Sequence, residues 1–251
     1  MVVIGVISAK GGVGKTTVVS NVGASLIRDF GKRVLIIDGN ITTPTLGIHL
    51  GMLSQEKTLD DVLEGTLTLH QATYIHPCGL HILPASLSMR SKYPDPEVLK
   101  DKLEEVKGQY DFIIIDGAAG IGREVISVIQ ASDTILVVTN PDLTSIVAAI
   151  KSIKISKSLN VPIFGLIVNK FTKGKYELKI PDIEELCETK VISTIPYDKK
   201  IPESIRRMTP VVLYNNKASS STAFKQLAAL IVGERYGEDS FWKRLIRVFR
   251  P

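Results

Sequence analysis

The sequence predicts an α/β fold: a doubly wound, mainly parallel sheet with helices on both faces, followed by a C-terminal amphipathic helix. Three observations lead there. Short runs rich in β-branched residues alternate with segments of helical periodicity over almost the whole chain. Each run is apolar nearly without interruption, as a strand covered on both faces requires. A glycine-rich loop also lies between the first run and the first helical segment. It marks the edge where open α/β sheets bind ligands, beyond the carboxyl ends of the strands.

The predicted strands are VVIGVIS (2–8), RVLIID (33–38), LHILPA (80–85), FIIID (112–116), TILVVT (134–139) and IFGLIVN (163–169). After the first strand and its loop, VVSNVGASLIRDF reads as a helix, and Gly31 stands where a left-handed residue would stop it after Phe30. Asp95-Pro96-Glu97 makes a helix start ahead of VLKDKLEEV, with proline tolerated in a first turn that has no use for its missing N–H. Residues 1–233 are expected to form one domain. The polar segment Gly233–Asp239 bounds it, with 234–239 as linker and 240–251 as a separate tail.

Composition excludes several classes. No apolar run approaches the ~18 residues of a transmembrane helix. MVVIGVIS lacks a basic leader and reads as a buried strand, not a signal peptide. Cys78 and Cys187 are far apart and show no CxxC spacing, so they imply neither a disulfide framework nor a cysteine metal site, which fits a reducing cytoplasm. The four histidines, His49, His70, His76 and His81, have no metal-ligand spacing. No Ser/His/Asp hydrolase pattern and no GxGxxG dinucleotide fingerprint occurs. The net charge is +5, yet residues 1–239 carry 27 basic against 26 acidic residues. The basic excess belongs to the tail, whereas a nucleic-acid binder spreads it over a folded face. Lys151, Lys154 and Lys157 share one helical face and read as a solvated stripe.

The loop is AKGGVGKTT, Ala9 to Thr17. A glycine-rich turn between strand and helix lets successive N–H groups of Gly11, Gly12, Val13, Gly14, Lys15, Thr16 and Thr17 converge on an anion. The helix N-terminus adds partial positive charge. Lys15 is placed to reach β- and γ-phosphates, and the Thr16 hydroxyl suits Mg²⁺. Ala9 stands where the usual pattern has glycine.

A second lysine inside the loop, Lys10, makes KGGVGKTT resemble the deviant Walker A loop of the MinD/ParA family of ATPases, and the resemblance extends through most of the chain. It implies a P-loop NTPase fold, ATP and Mg²⁺ as cofactors, and an ATP-dependent homodimer in which Lys10 reaches the partner's nucleotide. Asp116, ending DFIIID, corresponds to the Walker B carboxylate and joins Thr16 and Asp38 as metal-site residues. The chain departs from the family at Gly117, Ala118 and Ala119, where a serine or threonine and a proline are usual, and keeps Gly120. Asn40 stands where members carry a second aspartate that orients the attacking water. An amide can bond that water but cannot take its proton, so slow hydrolysis is expected. The resemblance also implies adenine contacts at Asn169 and along Pro196–Asp198.

The tail SFWKRLIRVFRP has its own pattern. On a helix, Phe241, Trp242, Leu245, Ile246 and Phe249 fall within an arc of about 140°, while Lys243, Arg244, Arg247 and Arg250 occupy the opposite side. An aromatic face opposite a purely basic one suits an interfacial helix on an anionic membrane. MinD-type members end in such a helix and ParA-type DNA-partition members generally do not. The expectation is a MinD-like ATPase, cytoplasmic and peripheral on the inner face of the membrane, that positions division or another polar machinery with an activator or cargo protein. The alternatives are a ParA-type partition ATPase and a nucleotide-dependent switch or scaffold that hydrolyses little.

Overall fold

The computed structural model describes residues 1–88 and 93–234. The chain runs β1 (Val2–Ser8), α1 (Lys15–Arg28), β2 (Val34–Asp38), α2 (Leu46–His49), α3 (Leu59–Leu63), α4 (Leu69–Ala72), β3 (Tyr74–Ile75) and β4 (His81–Leu83). It continues α5 (Leu99–Leu103), β5 (Phe112–Ala119), α6 (Arg123–Gln130), β6 (Thr134–Thr139), α7 (Leu143–Ser158) and β7 (Ile163–Phe171). The last elements are α8 (Ile180–Cys187), β8 (Val191–Pro196), α9 (Lys200–Arg206), α10 (Val211–Tyr214) and α11 (Ser219–Ile231). The predicted tail, 240–251, and most of the linker lie outside the described residues.

The strands form one sheet in the order β3-β4-β2-β5-β1-β6-β7-β8. Every pairing is parallel except the short β3–β4 hairpin. Although the strands read as unbroken apolar runs, alternate side chains go to opposite faces. Val3, Ile7, Leu35, Ile37, Ile113, Ile115, Leu166 and Val168 join the core under α3–α8. Ile4, Val6, Val34, Ile36, Ile114, Leu136 and Ile167 join the core under α1, α10 and α11. The doubly wound sheet expected from the sequence is therefore present, with β1 at its centre.

Helix ends follow local chemistry. Gly31 adopts φ 63° past the end of α1, and its N–H donates to the Ile27 carbonyl at 2.9 Å. Asp95 accepts from the Glu97 N–H at 3.0 Å, as predicted, but the turn it opens at Pro96–Val98 is a 3₁₀ turn leading into α5. Asp142 caps α7 by accepting from the Ser145 N–H at 2.9 Å. Lys151, Lys154 and Lys157 are exposed on α7. Among the described residues no helix is long and apolar enough to cross a membrane.

Candidate functional site

The loop after β1 ends at Gly14, whose φ of 103° belongs to the left-handed region, and Lys15 begins α1. Only glycine fits there without strain, and a Cβ at Gly14 would also strike the Asn169 amide nitrogen. The Val13 side chain is buried in the core, which fixes the loop from below and leaves its backbone as the functional part. Lys15 is only 9% exposed. Burial pulls its ammonium below the usual lysine range, and the Asp116 carboxylate partly offsets that.

Parallel pairing of β2 with β5 sets Asp38 opposite Asp116 at the carboxyl edge of the sheet. Both are buried. The Thr16 hydroxyl donates to Asp116 Oδ2 at 2.6 Å and lies 3.0 Å from the Thr45 hydroxyl. Asp116 Oδ1 is buried without a hydrogen-bond partner. Asp38 accepts from the N–H groups of Asn40 at 3.2 Å, Thr45 at 3.1 Å and Leu46 at 2.9 Å, and so also anchors the loop leading to α2. Burial, then the Asp116 charge, pushes the Asp38 carboxyl well up, and the three N–H donors do not cancel this. Burial likewise raises Asp116, to about 6, against the opposing pull of Thr16 and Lys15.

These groups fit a magnesium ion. A buried carboxylate oxygen with no partner, a hydroxyl on its sister oxygen and a second buried carboxylate together call for positive charge. Thr16, Asp116 and Asp38 would hold the ion directly or through water, with phosphate oxygens and water completing its shell. Among the described residues no cluster of three His, Cys, Asp or Glu side chains offers a metal site.

A cavity of about 650 Å³ extends from the phosphate loop past Asn40, Thr43, Thr45 and His49 to Asn169, Lys170 and Pro196–Asp198, ending at Ile201 and Ile205 of α9. It therefore brings most of the predicted phosphate-loop residues, Asn40, Asn169 and Pro196–Asp198 to one opening, whereas Asp38 and Asp116 lie behind Thr16 and do not line it. Asn40 is engaged locally: its Nδ2 donates to the Thr43 carbonyl at 2.5 Å, and its Oδ1 accepts from the Thr43 N–H and hydroxyl at 3.2 Å each. Asn169 donates its Nδ2 to the Val13 carbonyl at 2.7 Å, while its Oδ1 is buried and has no partner. The Asp198 carboxylate accepts from the Lys200 N–H at 2.8 Å and from Ser219 and Ser220 at the start of α11. That side chain braces the cavity wall beside Pro196.

Lys10 points elsewhere in the single chain. Its Nζ lies 3.2 Å from Asp142 Oδ1, 2.7 Å from the Thr144 hydroxyl and 2.9 Å from the Ser145 hydroxyl, all at the start of α7. Hydrogen bonds from Ser145, Thr144 and Lys10 hold the Asp142 carboxyl well below the usual carboxylate range despite the opposing effect of burial. Sequence reasoning also missed Thr45 and Lys170. Each meets the loop across the sheet, and neither belongs to a contiguous motif.

A phosphate loop after the central strand, a buried lysine and paired aspartates on the adjacent strands β2 and β5 define a P-loop nucleotide-binding domain. A family model described as an AAA domain matches residues 1–161. An uncharacterized ATP-binding protein of Methanocaldococcus jannaschii is 34% identical over 236 residues, 94% of this chain and 89% of its own. The septum site-determining protein MinD of Thermotoga maritima is 33% identical over 242 residues, 92% of this chain and 88% of its own. The structure of MinD complexed with Mg-ADP from Pyrococcus horikoshii has a TM-score of 0.85 at 29% identity, covering 91% of this chain and 95% of that one. The chain belongs to the MinD/ParA family of P-loop ATPases.

Proposed function

We propose that this protein is a MinD-like ATPase that binds Mg·ATP, dimerises with a second copy and attaches reversibly to a membrane to position division or another polar machinery. The observation that carries the nucleotide part is the partnerless buried oxygen of Asp116, whose sister oxygen accepts from Thr16, a residue that lines the cavity with Lys15. Bound magnesium would neutralise phosphate charge. This chain's own residues do the rest: loop N–H groups and Lys15 hold the phosphates, Thr16 and Asp116 orient their partners, and Asp38 fixes the loop carrying Asn40. Lys10 would leave Asp142 and reach the partner's nucleotide, so dimerisation must outweigh three hydrogen bonds.

The tail, Phe241 to Arg250, supports the membrane part through its sequence pattern. A helix of about ten residues is marginal in water. Each basic residue near an anionic surface contributes about 1 kcal/mol. Two tails on one dimer bind together, and avidity strengthens attachment by ~10²–10⁴-fold. ATP would thus set location through dimerisation. Anionic vesicles are expected to sediment the full chain with Mg·ATP far better than with Mg·ADP, and Trp242→Glu should abolish this while ATP binding persists. Equal sedimentation in both nucleotides removes the coupling, and sedimentation of the variant removes the anchor. A second reading, a nucleotide switch that hydrolyses little, is favoured by Asn40, whose amide is turned onto Thr43.

A further inference from the structure

A phosphate loop must present N–H groups to an anion. In a trans peptide, the carbonyl points opposite to the N–H that follows it. Two carbonyls of this loop are held by consecutive side chains at the end of β7. Lys170 Nζ donates to the Gly12 carbonyl at 2.8 Å, and Asn169 Nδ2 donates to the Val13 carbonyl at 2.7 Å. Asn140, in the amide orientation that satisfies its neighbours, adds a donor 3.3 Å from the Val13 carbonyl. The N–H groups of the same two peptides, those of Val13 and Gly14, meet no acceptor within the protein among the described residues.

Consecutive residues of a regular strand point to opposite faces, so Asn169 and Lys170 would not both reach one loop. The strand is irregular here. Pairing of β7 with β8 shifts register between Val168 and Phe171. Lys170 has φ 57°, a left-handed conformation that non-glycine residues rarely adopt. A bulge re-aims side chains, and this one brings both residues onto the phosphate loop.

We propose that Lys170 is a positioning residue of the phosphate site, which holds the Gly12 carbonyl outward and thereby turns the Val13 N–H onto a bound phosphate. The inference rests on the Mg·ATP reading. It differs from bulk attraction of an anion by surface charge, to which exposed Lys175 on the following turn also contributes.

Calorimetric titration of the full chain with Mg·ATP and with Mg·pyrophosphate tests it in the parent, Lys170→Met, Lys170→Arg and Lys175→Met. Lys170→Met is expected to bind both ligands about tenfold more weakly at an unchanged ligand-free melting midpoint. Arginine at 170 restores most of the affinity, and Lys175→Met changes it far less. In the parent, Mg·pyrophosphate should shift the Val13 and Gly14 amide proton resonances downfield, and Lys170→Met should reduce the Val13 shift. Parent-like affinity in Lys170→Met, an equal loss in Lys175→Met, or no Val13 shift in the parent would overturn the proposal. A parent that binds neither ligand would instead sink the nucleotide reading, and this inference with it.

Discussion

Asp38 and Asp116 face each other from β2 and β5, both buried, and Lys15 is the cation that partly offsets Asp116. Ligand-free protein therefore carries a burial cost on the ionised Asp116 carboxylate that Asp116→Asn would relieve. The folded carboxyl of Asp116 is raised by burial from 3.8 to about 6. A raised folded value means that the native state binds the proton more tightly than the unfolded chain. The stabilisation from this group is thus fully present below pH ~4 and is lost as pH climbs through about 6. Two units correspond to about 3 kcal/mol, an upper bound because the variant also deprives Lys15 of its partner. At roughly 2–4 °C per kcal/mol for a chain of this size, ligand-free Asp116→Asn should melt up to about 10 °C higher than the parent at pH 8. The gain should shrink toward zero near pH 4. Thermal melts in chelator across that range measure it. With Mg·ATP the order should reverse, since ligand at a thousandfold its Kd adds about 4.1 kcal/mol to the parent and little to the variant. A variant that melts lower at pH 8, or a gain independent of pH, would refute the argument from burial of Asp116.

Two further outcomes follow from the site. Lys10→Ala should keep nucleotide binding through Lys15 but fail to dimerise with a nonhydrolysable ATP analogue. Equal dimer fractions in sedimentation would remove Lys10 from the trans role. Basal turnover should lie far below ~1 s⁻¹, the lower end typical of kinases, and Asn40→Asp should raise it. Unchanged turnover with normal ATP binding would show that water orientation at position 40 is not limiting.

The parts of this molecule legible in the sequence are those whose cause is local. Uninterrupted apolar runs marked six strands because burial on both faces leaves no polar alternation to confuse the pattern. β8 escaped because VISTIP is an edge strand, half-buried and mixed with Ser193 and Thr194, and β3 because two residues carry no period. Asp95 announced a helical start correctly, but the tighter first turn depends on how that segment packs. The glycine loop with Lys15 and Thr16 was readable because the chemistry needs those residue types in immediate succession. The partners of the loop were not, because they come from up to 158 positions away.

Strand order explains why those distant partners sit where they do. With β1 between β5 and β6, and β2 and β7 next outward, the loop after β1 is approached from two directions. From one side come the carboxylates of β2 and β5, which demand positive charge. From the other come Asn140 after β6 and Asn169 and Lys170 of β7, which take up carbonyls. The buried Val13 side chain anchors the loop from below, but the loop's glycines have no side chains with which to hold their peptide carbonyls. Its acceptors must be occupied from outside if its donors are to be left for an anion. The sequence motif records only the donors. The half of the site that orients them is written in a bulge at the end of β7, where a lysine in a left-handed conformation looks like an irregularity until the loop it holds is in view.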